Sequence, residues 1–217
     1  MNKLLGIDSP FIRFMEHVAD FFILNLLTVL CCIPLLTVGA ALVAHSKIMQ
    51  NLVMNEEQPV GKAYFRAFCQ NFKQATVFWL AALVLIVLYV VDYFLIRIYF
   101  DESLALLTGW LLGILGVVAL GVLCYAFPFV ARYENTLKEH LRNSFVIAIG
   151  DLPRTLLLVL VAAIPLILAV ISLELFFTTI ILWFTFGISI VLYIQALILR
   201  PVFLRLEQSE EEGSLDE

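Results

Sequence analysis

The sequence predicts an all-α protein, a polytopic transmembrane helical bundle with five spanning helices and two amphipathic cytoplasmic helices. Three observations predict it. Hydrophobic residues make up 63% of the 217 and charged residues only 14%, against roughly half and a quarter in soluble domains. The mean hydropathy is +1.02, which implies more apolar surface than a domain of this size can hide from water. The few charges also leave long stretches of chain untouched. This composition excludes a disordered chain, a water-soluble globule and nucleic-acid binding as the main task.

Five windows lack Asp, Glu, Lys and Arg: Phe21 to Ser46, Gln74 to Val91, Ser103 to Ala131, Thr155 to Leu173, and Leu175 to Leu199. A spanning helix needs about 20 apolar residues. Lipid offers the backbone no hydrogen bonds, so each window must be helical, and none shows the alternation of a barrel strand. The segment before them, Met1 to His17, lacks the compact apolar core and small-residue site of a cleavable signal. The first window holds Pro34 near its middle. A break there would make it re-entrant and leave four spans with both termini on one side. Proline is tolerated in spanning helices, and five spans is the preferred reading.

Between the first two spans lies a Pro59 break and then Val60 to Lys73. On a helix, Val60, Tyr64, Phe65, Phe68 and Phe72 fall within about 140° of arc, and Lys62, Arg66 and Lys73 within about 40° on the far side. An aromatic face beside a basic one suits an anionic leaflet or a partner surface. Packing of the aromatic face against the chain's own spans explains the pattern equally well. Arg132 to Leu152 reads as a second amphipathic helix. Its apolar side is Leu137, Leu141, Phe145, Ala148 and Ile149, and its wet side is Lys138, Glu139, His140, Arg142 and Asn143. Residues 1–206 form one transmembrane domain. Residues 207–217, with Glu210, Glu211, Glu212, Asp216 and Glu217, read as an acidic unfolded tail.

Lys and Arg set the orientation. Lys47, Lys62, Arg66, Lys73, Arg132, Lys138, Arg142, Arg154, Arg200 and Arg205 fall on one side of the five-span threading. Lys3, Arg13 and Arg97 fall on the other. The amino terminus is then outside and the carboxyl terminus cytoplasmic.

Charges at span ends are the candidate ligand-binding groups, because charge at membrane depth is costly. They are Asp20, Asp92, Arg97 and Glu174, which five spans would gather on the outer face. Rim residues reaching into water explain them more simply. Asn25, Thr28, Thr37 and Gln195 are the deep uncharged polar groups. Ala105, Gly109, Gly113 and Gly116 make a small-residue helix face suited to close packing, inside the monomer rather than between copies. The cysteines, Cys31, Cys32, Cys69 and Cys124, form no Cys-x-x-Cys pair, and the three histidines lack zinc spacing. Phosphate-loop, nucleophile-elbow and zinc-protease strings are absent. The sequence therefore predicts no catalytic residue, no metal and no cofactor.

Two stretches carry a family likeness: Asn25-Leu26-Leu27 through Cys32-Ile33-Pro34-Leu35-Leu36-Thr37-Val38-Gly39-Ala40-Ala41, and Phe65-Arg66-Ala67-Phe68-Cys69-Gln70-Asn71-Phe72-Lys73-Gln74-Ala75. With Arg132-Tyr133-Glu134-Asn135 and Leu152-Pro153-Arg154-Thr155, they resemble the YesL-like bacterial integral membrane family. That resemblance implies a multi-span protein of the bacterial inner membrane, of unassigned biochemistry, encoded beside carbohydrate uptake systems. It supplies no catalytic residue. The function expected from it is a non-enzymatic accessory or regulatory partner of carbohydrate importer subunits in the lipid bilayer. The alternative is a permease subunit that moves a small solute itself. The oligomeric state is not specified.

Overall fold

The computed structural model describes residues 10–56 and 58–215. Lys3, Asp8, Asp216 and Glu217 lie outside these residues, as do the side chains of Arg13 and of Glu210 to Glu212. Among the described residues there is no strand, and the protein is all-helical, as the composition requires.

Helix α1 is Pro10–Cys31 and α2 is Val38–Val53, with a 3₁₀ turn at Leu35–Thr37 between them. The break falls at Pro34, whose extended backbone cannot continue α1. Thr37 secures the turn, its hydroxyl donating to Cys31 O and Pro34 O. The chain then reverses. Thr28 Oγ1 lies 2.8 Å from His45 Nδ1, and Leu24 packs with Ala44, Ile48 and Met49. In a straight helix, residues 28 and 45 would stand about 25 Å apart at 1.5 Å per residue. The first apolar window is therefore folded into a hairpin and is not one straight spanning helix, which corrects the five-span threading.

Asn55, at φ 61°, turns the chain out of α2; asparagine visits this left-handed region more readily than most residues. Helix α3 is Val60–Tyr99, 40 residues without interruption, or about 60 Å. Helices α4 (Glu102–Arg132), α5 (Leu137–Gly150), α6 (Leu152–Ile171) and α7 (Leu173–Leu182) follow. A π-helical turn at Trp183–Gly187 leads into α8 (Ile188–Leu215). The acidic stretch is thus helical as far as Leu215, where an unfolded tail was expected. Glu, Gln and Leu are good helix formers, and Arg132 holds Glu207 at 2.6 Å.

Three helices are long and apolar enough to cross a bilayer: Val60–Tyr99, Glu102–Arg132 and Phe177–Gln208. The bent pair Leu137–Gly150 and Leu152–Pro165, at 107°, makes a fourth if taken as one span. Thr155 fixes that bend, its hydroxyl 2.7 Å from Ala148 O and 3.0 Å from Asp151 O. A capping box opens α5: Thr136 accepts from Glu139 N–H while the Glu139 carboxylate accepts from Thr136 N–H. Replacing Thr136 with alanine removes that cap. The expected cost is about 1 kcal/mol, read as a lower unfolding midpoint in mild detergent; an unchanged midpoint would show that α5 is held by its contacts alone.

Burial is uneven along the bundle. Leu24, Met49 and Tyr64 pack in one buried cluster, Tyr125, Phe129, Leu199 and Phe203 in a second, and Ala40, Val43, Ala75 and Phe78 in a third. The first and third gather around α2, and the second joins α4, α5, α6 and α8. Beyond them, the second half of α3 and the first half of α4 expose their large apolar side chains, from Val84 through Leu115. Packing holds one half of the molecule, and lipid is the physical solvent for the other.

Candidate functional site

Helix α2 is the most enclosed element and also carries polar side chains. His45, Ser46, Gln50 and Asn51 are all buried. Gln50 Nε2 donates to Ser46 Oγ and to Pro128 O, each at 3.1 Å, tying α2 to α4. His45 meets Thr28 on one ring nitrogen, and its other, Nε2, has no partner. Gln50 Oε1 and Asn51 Oδ1 are likewise without partners. Three unsatisfied polar atoms on one buried helix are costly, and they make α2 the chemically distinctive element of the fold.

A second polar junction holds α1 to the last helix. Asn25 Nδ2 donates to Phe184 O at 2.7 Å and Trp183 O at 3.2 Å. Its Oδ1 accepts from Ser189 N–H at 3.0 Å, and Ser189 Oγ donates to Phe21 O at 2.8 Å. The π turn shifts the hydrogen-bond register of the helix, and Asn25 meets backbone groups on both sides of it.

The third assembly lies where α2, α4 and α8 end. Arg132 pairs with Glu207, approaches Glu56 at 3.8 Å, and sits 5.6 Å above the Phe203 ring. One guanidinium thus joins α4, α8 and the linker before α3. Lys62, Arg66 and Lys73 are exposed on α3 at this end.

The structure separates the four span-end charges. Asp20 lies at the foot of the hairpin, in a cleft with Ile48, Asn51 and Pro59. Asp92 and Arg97 lie near the opposite end of α3, and they line different grooves, Asp92 with Thr108 and Arg97 with Glu102 and Gly109. Arg97 stands 5.4 Å over the Tyr93 ring. Glu174 is exposed at the α6–α7 turn. The hairpin sets Asp20 beside the start of α3, away from Asp92 and Arg97 near its end, so the four do not share one vestibule.

The stretch Val60 to Lys73 is not a separate helix lying flat on a leaflet, because it continues into the span as one rod. Its aromatic face divides. Tyr64 is fully buried, its hydroxyl 3.5 Å from Ala41 O; Phe68 is half-buried, and Phe65 and Phe72 are exposed. The small-residue face also divides. A side chain at Gly116 would meet the Tyr89 ring at 2.9 Å, whereas Gly109 and Gly113 have nothing within 4 Å, and Ala105 borders the Arg97 groove. Internal close packing therefore holds at Gly116 alone among the three glycines. On α5, His140 turns inward with Ser144 and Ala148, and Leu141, Phe145 and Ile149 are exposed. The wet and apolar sides read from the sequence are rotated about the helix, because α4 covers the His140 side.

Sequence reasoning passed over His45, Gln50, Asn51, Ser189 and Arg132 as site residues. A signal was present for the first three: His45, Ser46, Gln50 and Asn51 crowd the end of an otherwise apolar stretch. Ser189 carried no signal, since its partner Asn25 is 164 positions away.

Among the described residues no three His, Cys, Asp or Glu side chains are close enough to share a metal ion. Where the polar groups on α2 are paired, their partners are Thr28, the Pro128 carbonyl and each other. Fold and site together define a helical membrane protein with a polar hairpin at one end. Residues 21–93, the second half of α1, all of α2 and most of α3, match the family described as "Protein of unknown function, DUF624". No curated protein matches the chain, and no solved structure does.

Proposed function

We propose that this is a non-enzymatic accessory protein of the bacterial inner membrane that docks on carbohydrate importer subunits through its basic end. The observation that carries this reading is the outer face of α3. Phe65 and Phe72 remain exposed beside exposed Lys62, Arg66 and Lys73 after the fold has taken Tyr64 into its core. Aromatic and cationic side chains left together at the membrane edge suit a protein partner or an anionic leaflet. The carbohydrate assignment rests on the YesL-like resemblance. The positive-inside bias supports a cytoplasmic setting for the basic end, and on this reading the hairpin would leave both ends of the chain on the cytoplasmic side.

Charge reversal at Lys62, Arg66 and Lys73 together is the test. Importer subunits should co-purify with the wild-type chain from native membranes in mild detergent and be lost from the triple variant. Recovery of no importer subunit with the wild-type chain would end this reading. The competing reading, a permease, is favoured by the buried polar groups of α2, since transporters place polar groups and broken helices at their substrate sites. Solute flux through proteoliposomes containing this chain alone would establish it.

A further inference from the structure

We propose that the cleft at the foot of the α1–α2 hairpin binds an organic ammonium group carried on an aromatic or apolar body. The cleft, about 450 Å³, lies between α1, the end of α2 and the start of α3. Its polar walls are Glu16, His17 and Asp20 from α1, Asn51 from α2, and Glu56 and Gln58 from the linker. Among the described residues no lysine or arginine lines it, although Lys62, Arg66 and Arg132 populate the same end of the molecule. Glu56 is engaged with Arg132. Glu16 and Asp20 stand one helical turn apart on α1, and neither has a Lys or Arg ion-pair partner among the described residues.

A pair of carboxylates would not by itself define a site. The independent observation is Asn51, which lines the cleft, is 5% exposed, and has a side-chain oxygen without a partner. A buried acceptor of this kind wants a donor. Acceptors and negative charge together call for a cation bearing N–H groups. A bare metal ion does not fit, because the carboxylates and His17 are not gathered closely enough. Burial pushes the Asp20 carboxyl above its ordinary range; neighbouring His17 opposes this, and Glu16 adds to it. A cation in the cleft would relieve that burden, so binding should weaken as acid protonates Asp20.

The body of the ligand is set by the neighbouring groove. It shares His17 and Leu52 with the cleft, measures about 520 Å³, and is walled by Phe21, Phe186 and Tyr193. Phe21 and Tyr193 meet edge to face, with ring centroids 5.2 Å apart. An ammonium seated against Asp20 and Asn51 would therefore lead its apolar part past His17 onto these rings, which offer both dispersion and cation–π attraction. A soluble amine and the ammonium headgroup of phosphatidylethanolamine share this chemistry.

Titration of the full chain in phosphatidylcholine nanodiscs with phenethylamine tests the proposal. Phenethylamine should bind at least tenfold more tightly than 2-phenylethanol, its uncharged counterpart. Asp20→Asn should weaken phenethylamine at least tenfold, and Tyr193→Ala should weaken it severalfold. Glu16→Gln, on the exposed side of α1, provides a second charge variant if Asp20→Asn does not fold. Phosphatidylethanolamine nanodiscs separate the sources: weaker phenethylamine binding there assigns the cleft to the lipid headgroup, and unchanged binding assigns it to a soluble amine. Equal binding of amine and alcohol, no binding of phenethylamine in phosphatidylcholine, or undiminished binding to folded charge variants would overturn the proposal.

Discussion

Gly39→Val should destabilise the protein by at least about 2 kcal/mol, because overpacking against backbone cannot be relieved by a rotamer change. A Cβ at Gly39 would press on the carbonyl oxygen of Ala75 and lie 2.6 Å from Trp79 Cβ. Both belong to the backbone rod of α3. Trp79 is also fixed, its indole N–H donating to Leu35 O at 2.8 Å and so tying the hairpin turn to α3. The added side chain would push α2 off α3 where Ala40 and Val43 pack with Ala75 and Phe78. Unfolding in mild detergent should show a lower midpoint, and thiol labelling should reach Cys31 and Cys32 faster at the displaced turn. Even Gly39→Ala should be felt, since the first carbon already collides. A valine variant with the wild-type midpoint would mean that the close approach of α2 to α3 is not required.

Asn25→Leu should cost about 2 kcal/mol. The side chain keeps its number of heavy atoms and its branching, yet the part-buried Phe184 carbonyl and the buried Ser189 N–H lose their partner. Such losses run to about 1–3 kcal/mol for one group left unsatisfied, with interhelical bonds in membranes nearer the low end. Hydrogen exchange localises the effect. Residues 183–189 should exchange faster, while the Thr136–Gly150 region keeps its wild-type protection. Uniform acceleration across both would show that Asn25 acts on the whole fold and not on the π turn.

These two residues show how much could be read in advance. Asn25 was legible as a deep polar group needing a helix neighbour, because a lone amide in an apolar stretch must bond to something. Its partners were not legible, since the π turn at Trp183–Gly187 has no compositional mark. Gly39 stood within the stretch that resembles a known family, but nothing in its spacing told of Ala75. The aromatic and basic faces of Val60 to Lys73 were legible from periodicity. Their division into buried Tyr64 and exposed Phe65 was not, because periodicity says which side chains share a face and not which neighbour covers it. Gly109 and Gly113 show the same limit, since a small-residue face records permission for close approach, and in this fold nothing approaches there.

The cleft follows this pattern. Glu16 and Asp20 were visible as charges near a span end, and five spans would have set Asp20 beside Asp92. The hairpin turns α1 back on α2 and brings Asp20 to Asn51 instead.

The amino-acid sequence by itself determined the medium and the secondary structure. Chain segments without charge leave water, and in lipid each must bond its own backbone, so helices are the outcome whatever their arrangement. Only the tertiary structure decided whether the first of those segments crosses the bilayer. A run such as Phe21 to Ser46 has one hydropathy whether straight or folded. The decision came from contacts between distant residues: Thr28 meeting His45, Trp79 holding Leu35, and Gly39 admitting the backbone of α3.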